Sequence, residues 1–203
     1  RSQKNIAVSR ALYQTMASKG VPNLTLINNL TDEEFFQPST FQKSTALSHF
    51  AFIGRIEEQK GITYLIEAAA LLRDADVGFT LTIGGDGSEI DNHKKKAEEL
   101  RLTNHINWLG TLSREEVKAA LQACDAFVLP SIHENHPLVL LEALAMGKPV
   151  IATRCGGSEE IVASEVGTIV ESANTQQLFE AMREFSQRSV VFEANEIRAY
   201  FLS

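Results

Sequence analysis

Ala126-Phe127-Val128-Leu129-Pro130-Ser131-Ile132-His133-Glu134-Asn135-His136-Pro137-Leu138-Val139-Leu140-Leu141-Glu142-Ala143-Leu144-Ala145-Met146-Gly147-Lys148-Pro149-Val150-Ile151-Ala152-Thr153 reads as a strand, a polar loop, a buried helix and a second strand. Ala126–Leu129 is a short apolar run closed by Pro130, the pattern of a covered strand. Leu138–Met146 is apolar on most of its surface, as in a helix with little contact with water. Gly147 supplies a left-handed cap and Pro149 forbids continuation. One charge interrupts this helix. Glu142 lies four residues after Leu138 and three before Ala145, inside the apolar stripe. Carboxylates are seldom buried without a partner, so Glu142 needs one.

The same alternation extends outward on both sides. Strand-like runs fall at Phe50–Gly54, Phe79–Ile83, Ile106–Leu109, Ala126–Leu129, Val150–Thr153 and Thr168–Val170. Helical runs fall at Thr63–Leu72, Glu89–Leu100, Arg114–Ala123, Leu138–Met146 and Gln176–Phe185, with a short one near Glu159–Val162. Ser113 and Glu116 form a capping box for the third of these. Strands alternating with helices imply right-handed crossovers. The expected class is α/β, a Rossmann-like three-layer domain with a roughly six-stranded parallel sheet and helices on both faces. In such sheets ligands bind beyond the carboxyl ends of the strands, where the notable residues of this chain fall.

Residues 1–45 fit the repeat less well. The first residues and Ala7–Ser18 read as helix, Gly20 stops it, and Leu24–Ile27 reads as one strand. Asn28–Asp32 and Pro38–Thr40 read as turn and linker. The expected division is 1–45 as the end of a preceding domain with its linker, 46–190 as the main domain, and 191–203 as a terminal helix with little of its own to pack on. The chain starts at Arg1 and reads as a piece of a longer protein.

Composition narrows the function. Of 203 residues, 44% are hydrophobic and 22% charged, enough for a proper core. The net charge of -7 and the absence of a basic stripe argue against nucleic acid; Lys94–Lys96 stand beside Glu98 and Glu99 on a solvated helix face. Cys124 and Cys155 match no disulfide or zinc spacing and read as reduced residues of a cytoplasmic protein. No apolar stretch reaches the length of a membrane span, and no signal peptide is visible.

Four groups of residues carry possible chemistry. Arg55 follows the first strand of the repeat and Lys60-Gly61 opens the next helix; two cations and open helix amides suit a diphosphate. A solvated loop in which Glu57 and Glu58 neutralise them is the plainer alternative. Gly84-Gly85-Asp86-Gly87 lacks the third glycine of a dinucleotide fingerprint, because Ile90 stands there, and reads as a turn that lets a flat base approach. In Ser131–Pro137, Pro137 fits a first helical turn, and Asn135 or His136 could be the N-cap. The amides that follow would meet a phosphate, with Glu134 just outside. Glu134 could equally complement the helix dipole. His133 and His136 lack the further ligands a metal site needs. A lone carboxylate such as Glu142 accepts both protons of a vicinal diol, as ribose offers. Gly156-Gly157 makes a tight turn, with Ser158 a plausible cap for Glu159–Val162.

Gly54-Arg55, Lys60-Gly61, Gly84-Gly85-Asp86-Gly87, Leu109-Gly110, Pro130-Ser131, Glu134 with Glu142-Ala143-Leu144-Ala145, Gly147-Lys148-Pro149 and Gly156-Gly157 follow one another in order. This series resembles the C-terminal half of glycosyltransferase family 4, retaining enzymes built from two Rossmann-like domains. Val8-Ser9 through Ile27-Asn28, with Phe36 and Pro38, looks like the end of that family's N-terminal domain. The usual linker motif Asn-Gly-Val-Asp is replaced by Asn28-Asn29-Leu30-Thr31-Asp32. The resemblance implies a nucleotide-diphosphate sugar donor, with UDP or GDP as the nucleotide. It gives Arg55 and Lys60 to the diphosphate, Glu134 to the donor sugar and Glu142 to the ribose. Gly54, Gly84, Gly85, Gly110, Asn135, His136, Pro137 and Leu138 would line the donor site, with Leu109–Thr111 bordering the base. It implies no cofactor and no metal, since cations and helix amides stand in for one. An acceptor would come from the N-terminal domain, and the longer protein could associate peripherally with a membrane. A fragment without that domain would bind donor weakly and not turn it over. A nucleotide-sugar epimerase, a phosphorylase or a non-catalytic nucleotide-binding module are the alternatives.

Overall fold

The computed structural model describes residues 4–38 and 48–203. Two parallel sheets are present among them. The smaller pairs β1 (Asn5–Ala7) with β2 (Leu24–Leu26), joined by α1 (Arg10–Ser18). The reading of the first residues as helix is corrected here. Asn5–Ala7 is extended and pairs with β2, and the helix starts only after Ser9, whose hydroxyl accepts from the Leu12 amide. A capping serine stops a helix from extending backwards.

The larger sheet has six strands, β3 (Ser48–Ile53), β4 (Phe79–Gly84), β5 (Ile106–Gly110), β6 (Ala126–Leu129), β7 (Val150–Arg154) and β8 (Gly167–Glu171). Their order is β5-β4-β3-β6-β7-β8, and every neighbouring pair is parallel. The helices are α2 (Ile62–Asp74), α3 (Ile90–Glu99), α4 (Arg114–Ala123), α5 (Leu138–Ala145), α6 (Thr175–Ser186) and α7 (Ala194–Leu202). The expected α/β class, the six-stranded sheet and the longer helices between its strands stand, the short helix expected near Glu159–Val162 is a 3-10 turn at Ser158–Glu160, and α4 begins with the expected capping box. The expected boundary at 45/46 lies outside the described residues.

The order of strands decides where a ligand can go. From β3 the chain winds outward through β4 to β5, then returns to the other side of β3 and winds through β6 to β8. Right-handed crossovers place α2 and α3 on one face and α4 and α5 on the other. α6 returns to pack on α2, and α7 packs on α5. Between β3 and β6 the winding reverses, and the loops leaving the two strands diverge there.

Phe50, Ala51, Phe52, Phe127, Val128, Leu65, Ile66, Leu140 and Leu144 form the core between the layers. Leu140 and Leu144 are the larger of the four buried residues of α5, and burying each contributes about 1.5 to 3 kcal/mol. The terminal helix is better anchored than expected. Ile197 is fully buried, and Arg198 donates to the carbonyls of Phe36, Ala145 and Glu33. These partners lie far away in sequence, so the local pattern of residues 192–202 does not reveal them.

Candidate donor-binding cleft

A cleft of about 390 Å³ opens at the reversal point. Ile53 and Gly54 supply one wall from the end of β3, and Leu129 supplies another from β6. The start of α5 forms the floor with His136, Pro137, Leu138, Val139 and Glu142. Lys60, Glu134, Val117 and Asn29 close the rim. Seven expected site residues therefore meet in one cavity: Gly54, Lys60, Glu134, His136, Pro137, Leu138 and Glu142.

Lys60 lies at the end of a 3-10 turn, Glu58–Lys60, and Gly61 rather than Lys60 is the N-cap of α2. Gly61 has φ +64°, and a Cβ there would lie 2.0 Å from the Pro130 carbonyl oxygen. This close approach sets the loop before α2 against the loop after β6. Ile132 N–H donates to the Gln59 carbonyl at 2.8 Å, completing that seam. Lys60 Nζ consequently reaches Glu134 Oε1 at 2.6 Å, with both side chains largely buried. The pairing was not foreseen; the two residues stand 74 positions apart.

Glu134 is held from several sides. Its amide donates to the Cys155 carbonyl, and Ser131 Oγ donates to Oε1 at 2.8 Å. Gly157 packs under the same loop, where a Cβ would lie 2.3 Å from the Asn135 carbonyl oxygen. The Gly156-Gly157 turn thus supports the loop that carries Glu134. Ser158 does not cap the short helix as expected. It is that 3-10 turn's first residue, and the Glu159 carboxylate instead takes the Cys155 and Gly156 amides.

The N-cap of α5 is Pro137, not Asn135 or His136, and no side chain among the described residues caps the first amides of this helix. Proline at φ -71° with extended ψ is one residue earlier than a first-turn position. His136 is buried instead, with Nδ1 lacking a hydrogen-bond partner among the described residues. Burial lowers its pKa, opposed by the Glu160 carboxylate. Asn29 Nδ2 donates to the His136 carbonyl at 2.8 Å. Sequence reasoning missed the apolar wall residues Ile53, Val117, Leu129 and Val139 and one polar cleft residue, Asn29, which looked like part of a turn and whose contact spans 107 positions.

Glu142 is half-buried on the cleft side of α5, so the fully buried carboxylate suggested by the apolar stripe becomes a partly open one. No side chain among the described residues hydrogen-bonds it. Burial raises its pKa, and Arg114 opposes that shift at a distance. Among the described residues Glu142 is therefore an acceptor without a side-chain donor, facing the cavity.

Other expected residues stand outside the cavity. Arg55 is exposed and pairs with Glu57 at 2.9 Å, as the plainer alternative had it. Asn135 is exposed beside the rim. Gly84, Gly85 and Gly110 stand at the ends of β4 and β5 behind the cavity residue Gly54, linked by Gly54 N–H to Gly84 O and Gly85 N–H to Gly110 O. A Cβ on Gly85 would lie 1.8 Å from the Gly54 carbonyl oxygen, so internal backbone packing already requires this glycine.

The sequence model of the family described as "Glycosyl transferases group 1" matches residues 33–199. The chain belongs to this family. Glycogen synthase of Mycobacterium tuberculosis is 32% identical over 165 residues, which are 81% of this chain and 40% of that protein. D-inositol 3-phosphate glycosyltransferase of Pseudarthrobacter chlorophenolicus is 37% identical over 142 residues, 66% of this chain and 34% of that protein. This group 1 chain thus spans about two-fifths or less of these relatives. Among solved structures, Anabaena Alr3699/HepE in complex with UDP and glucose superposes with a TM-score of 0.85 at 21% identity, covering 99% of this chain and 58% of that one. The lipopolysaccharide outer core galactosyltransferase WaaB superposes at 0.82 with 20% identity. These likenesses share the fold.

Proposed function

We propose that this chain is the donor-binding part of a retaining glycosyltransferase that takes a nucleotide-diphosphate sugar, with UDP or GDP as its nucleotide. The observation that carries the reading is the convergence in one cleft of Lys60, Glu134, the first amides of α5 and Glu142, the last two without a side-chain partner among the described residues. A diphosphate fits the amides and Lys60. The ribose diol fits Glu142 one helical turn along, and the sugar fits Glu134 at the rim. Arg55, paired only at the exposed surface, can exchange Glu57 for phosphate. The structures of HepE with UDP and with UDP-glucose support this reading of a shared fold.

The cations and helix amides neutralise the departing diphosphate, so the reading assigns no metal and no cofactor. Residues 1–45 belong to the end of a preceding domain, 46–190 to the donor domain and 191–203 to the terminal helix. The acceptor binds on the preceding domain, so this chain alone binds donor without turning it over. A cytoplasmic location goes with this reading; among the described residues no helix is long and apolar enough to cross a membrane.

The test is a thermal-shift and calorimetric screen of UDP, GDP and ADP with UDP-glucose, GDP-mannose and ADP-glucose. A uridine or guanosine ligand should raise the melting temperature, and Glu142→Ala and Arg55→Ala should each diminish the shift. Variants that shift like the parent with the best ligand overturn the site assignment. Sugar transfer by this chain alone overturns the assignment of the acceptor.

A further inference from the structure

We infer that Ser131 is a positioning residue that fixes which oxygen of Glu134 faces the donor sugar; the inference rests on the donor-site reading above. A carboxylate has two acceptor positions on each oxygen. In Glu134 both known contacts fall on Oε1, from Lys60 Nζ at 2.6 Å and Ser131 Oγ at 2.8 Å. Among the described residues Oε2 has no hydrogen bond. One oxygen is thus tied down and the other is left for a ligand.

The two ties differ in permanence. Lys60 ends a flexible four-carbon stem and faces the cleft in which a diphosphate would compete for it. Ser131 is fully buried, and its backbone cannot follow a ligand. Thr153 Oγ1 donates to the Ser131 carbonyl, binding the loop to β7. On the next residues, Ile132 N–H is held by Gln59 O and Glu134 N–H by Cys155 O. The Ser131 hydroxyl and the Glu134 backbone are therefore fixed relative to each other. When Lys60 turns to phosphate, Ser131 keeps Oε1 in place and Oε2 stays directed at the sugar hydroxyls. Without Ser131 the carboxylate would follow Lys60 or rotate about its last torsion.

The readout is the affinity ratio between a nucleotide sugar and its parent nucleoside diphosphate, by calorimetry on this chain with the best pair from UDP/UDP-glucose and GDP/GDP-mannose. Ser131→Ala should leave the nucleoside diphosphate within about twofold of the parent and cut the sugar's advantage by about tenfold, or to none if the parent's advantage is smaller. In a Glu134→Ala background, Ser131→Ala should change the ratio no further. An unchanged ratio in the single variant, a further loss in the double variant, or an equal loss of nucleoside diphosphate and sugar overturns the inference; the last would make Ser131 a support for the loop as a whole. A parent that binds the sugar no better than the diphosphate overturns it too, because Glu134 then gives the sugar nothing to position. A parent that binds neither nucleotide refutes the donor-site reading itself, a separate result.

Discussion

Lys60 Nζ and Glu134 Oε1 lie 2.6 Å apart, with side chains 18% and 11% exposed. Removing either partner leaves a charge in a poorly solvated place. Lys60→Ala should lower the unfolding free energy by about 1 to 3 kcal/mol, measured by urea denaturation. Lys60→Met with Glu134→Leu should recover part of that loss, since neither charge is then buried alone. The same single variant should weaken nucleoside diphosphate binding.

Glu142 is expected to reduce stability. Burial raises its carboxyl above the ordinary 4.5, so in the window between the two values the native state holds a proton that the unfolded chain has released. The unfolding free energy falls as pH rises through that window, and the cost is complete above it. Glu142→Gln should raise the melting temperature at about pH 8 and lose that advantage at about pH 4. A variant that is more stable yet binds nucleotide less well would locate the cost in function.

Two glycines near the cleft should respond differently to alanine. At Gly157 the new methyl would meet the Asn135 carbonyl oxygen at 2.3 Å, so the 134–136 loop must move. The expected loss is about 1 to 3 kcal/mol, with weaker sugar binding. Gly110 has φ +70° and nothing within 4 Å of an added Cβ. Gly110→Ala should cost about 1 kcal/mol through backbone strain alone. Calorimetric melting of the two variants checks the contrast.

Arg198 ties α7 to the body of the domain through three carbonyls. Arg198→Ala should lower stability by about 1 to 3 kcal/mol. Limited proteolysis should then release the terminal helix earlier than in the parent.

The sheet was legible because each buried strand and amphipathic helix writes its own period into adjacent residues. Arg114–Ala123 and Ala126–Leu129 fall where their patterns place them, since Ser113 caps one and Pro130 ends the other. Glu142 was visible as a charge out of place in an apolar helix. Lys60 against Glu134, Asn29 against His136 and Arg198 against Ala145 were not visible. Each depends on distant loops brought together by the strand order, and no local period records it. Ser131 stands only three residues before Glu134, but a serine beside a loop glutamate has many uses, and only the geometry distinguishes them.

Glu160 caps a helix of the other sheet. Its two carboxylate oxygens accept from the Arg10 and Ala11 amides at 2.8 Å each, both at the surface. Water can replace either bond without leaving a polar group stranded in the interior. The joint between α1 and the six-stranded body at this point is a clasp that can unfasten and refasten in solvent, and its strength will vary with ionic strength.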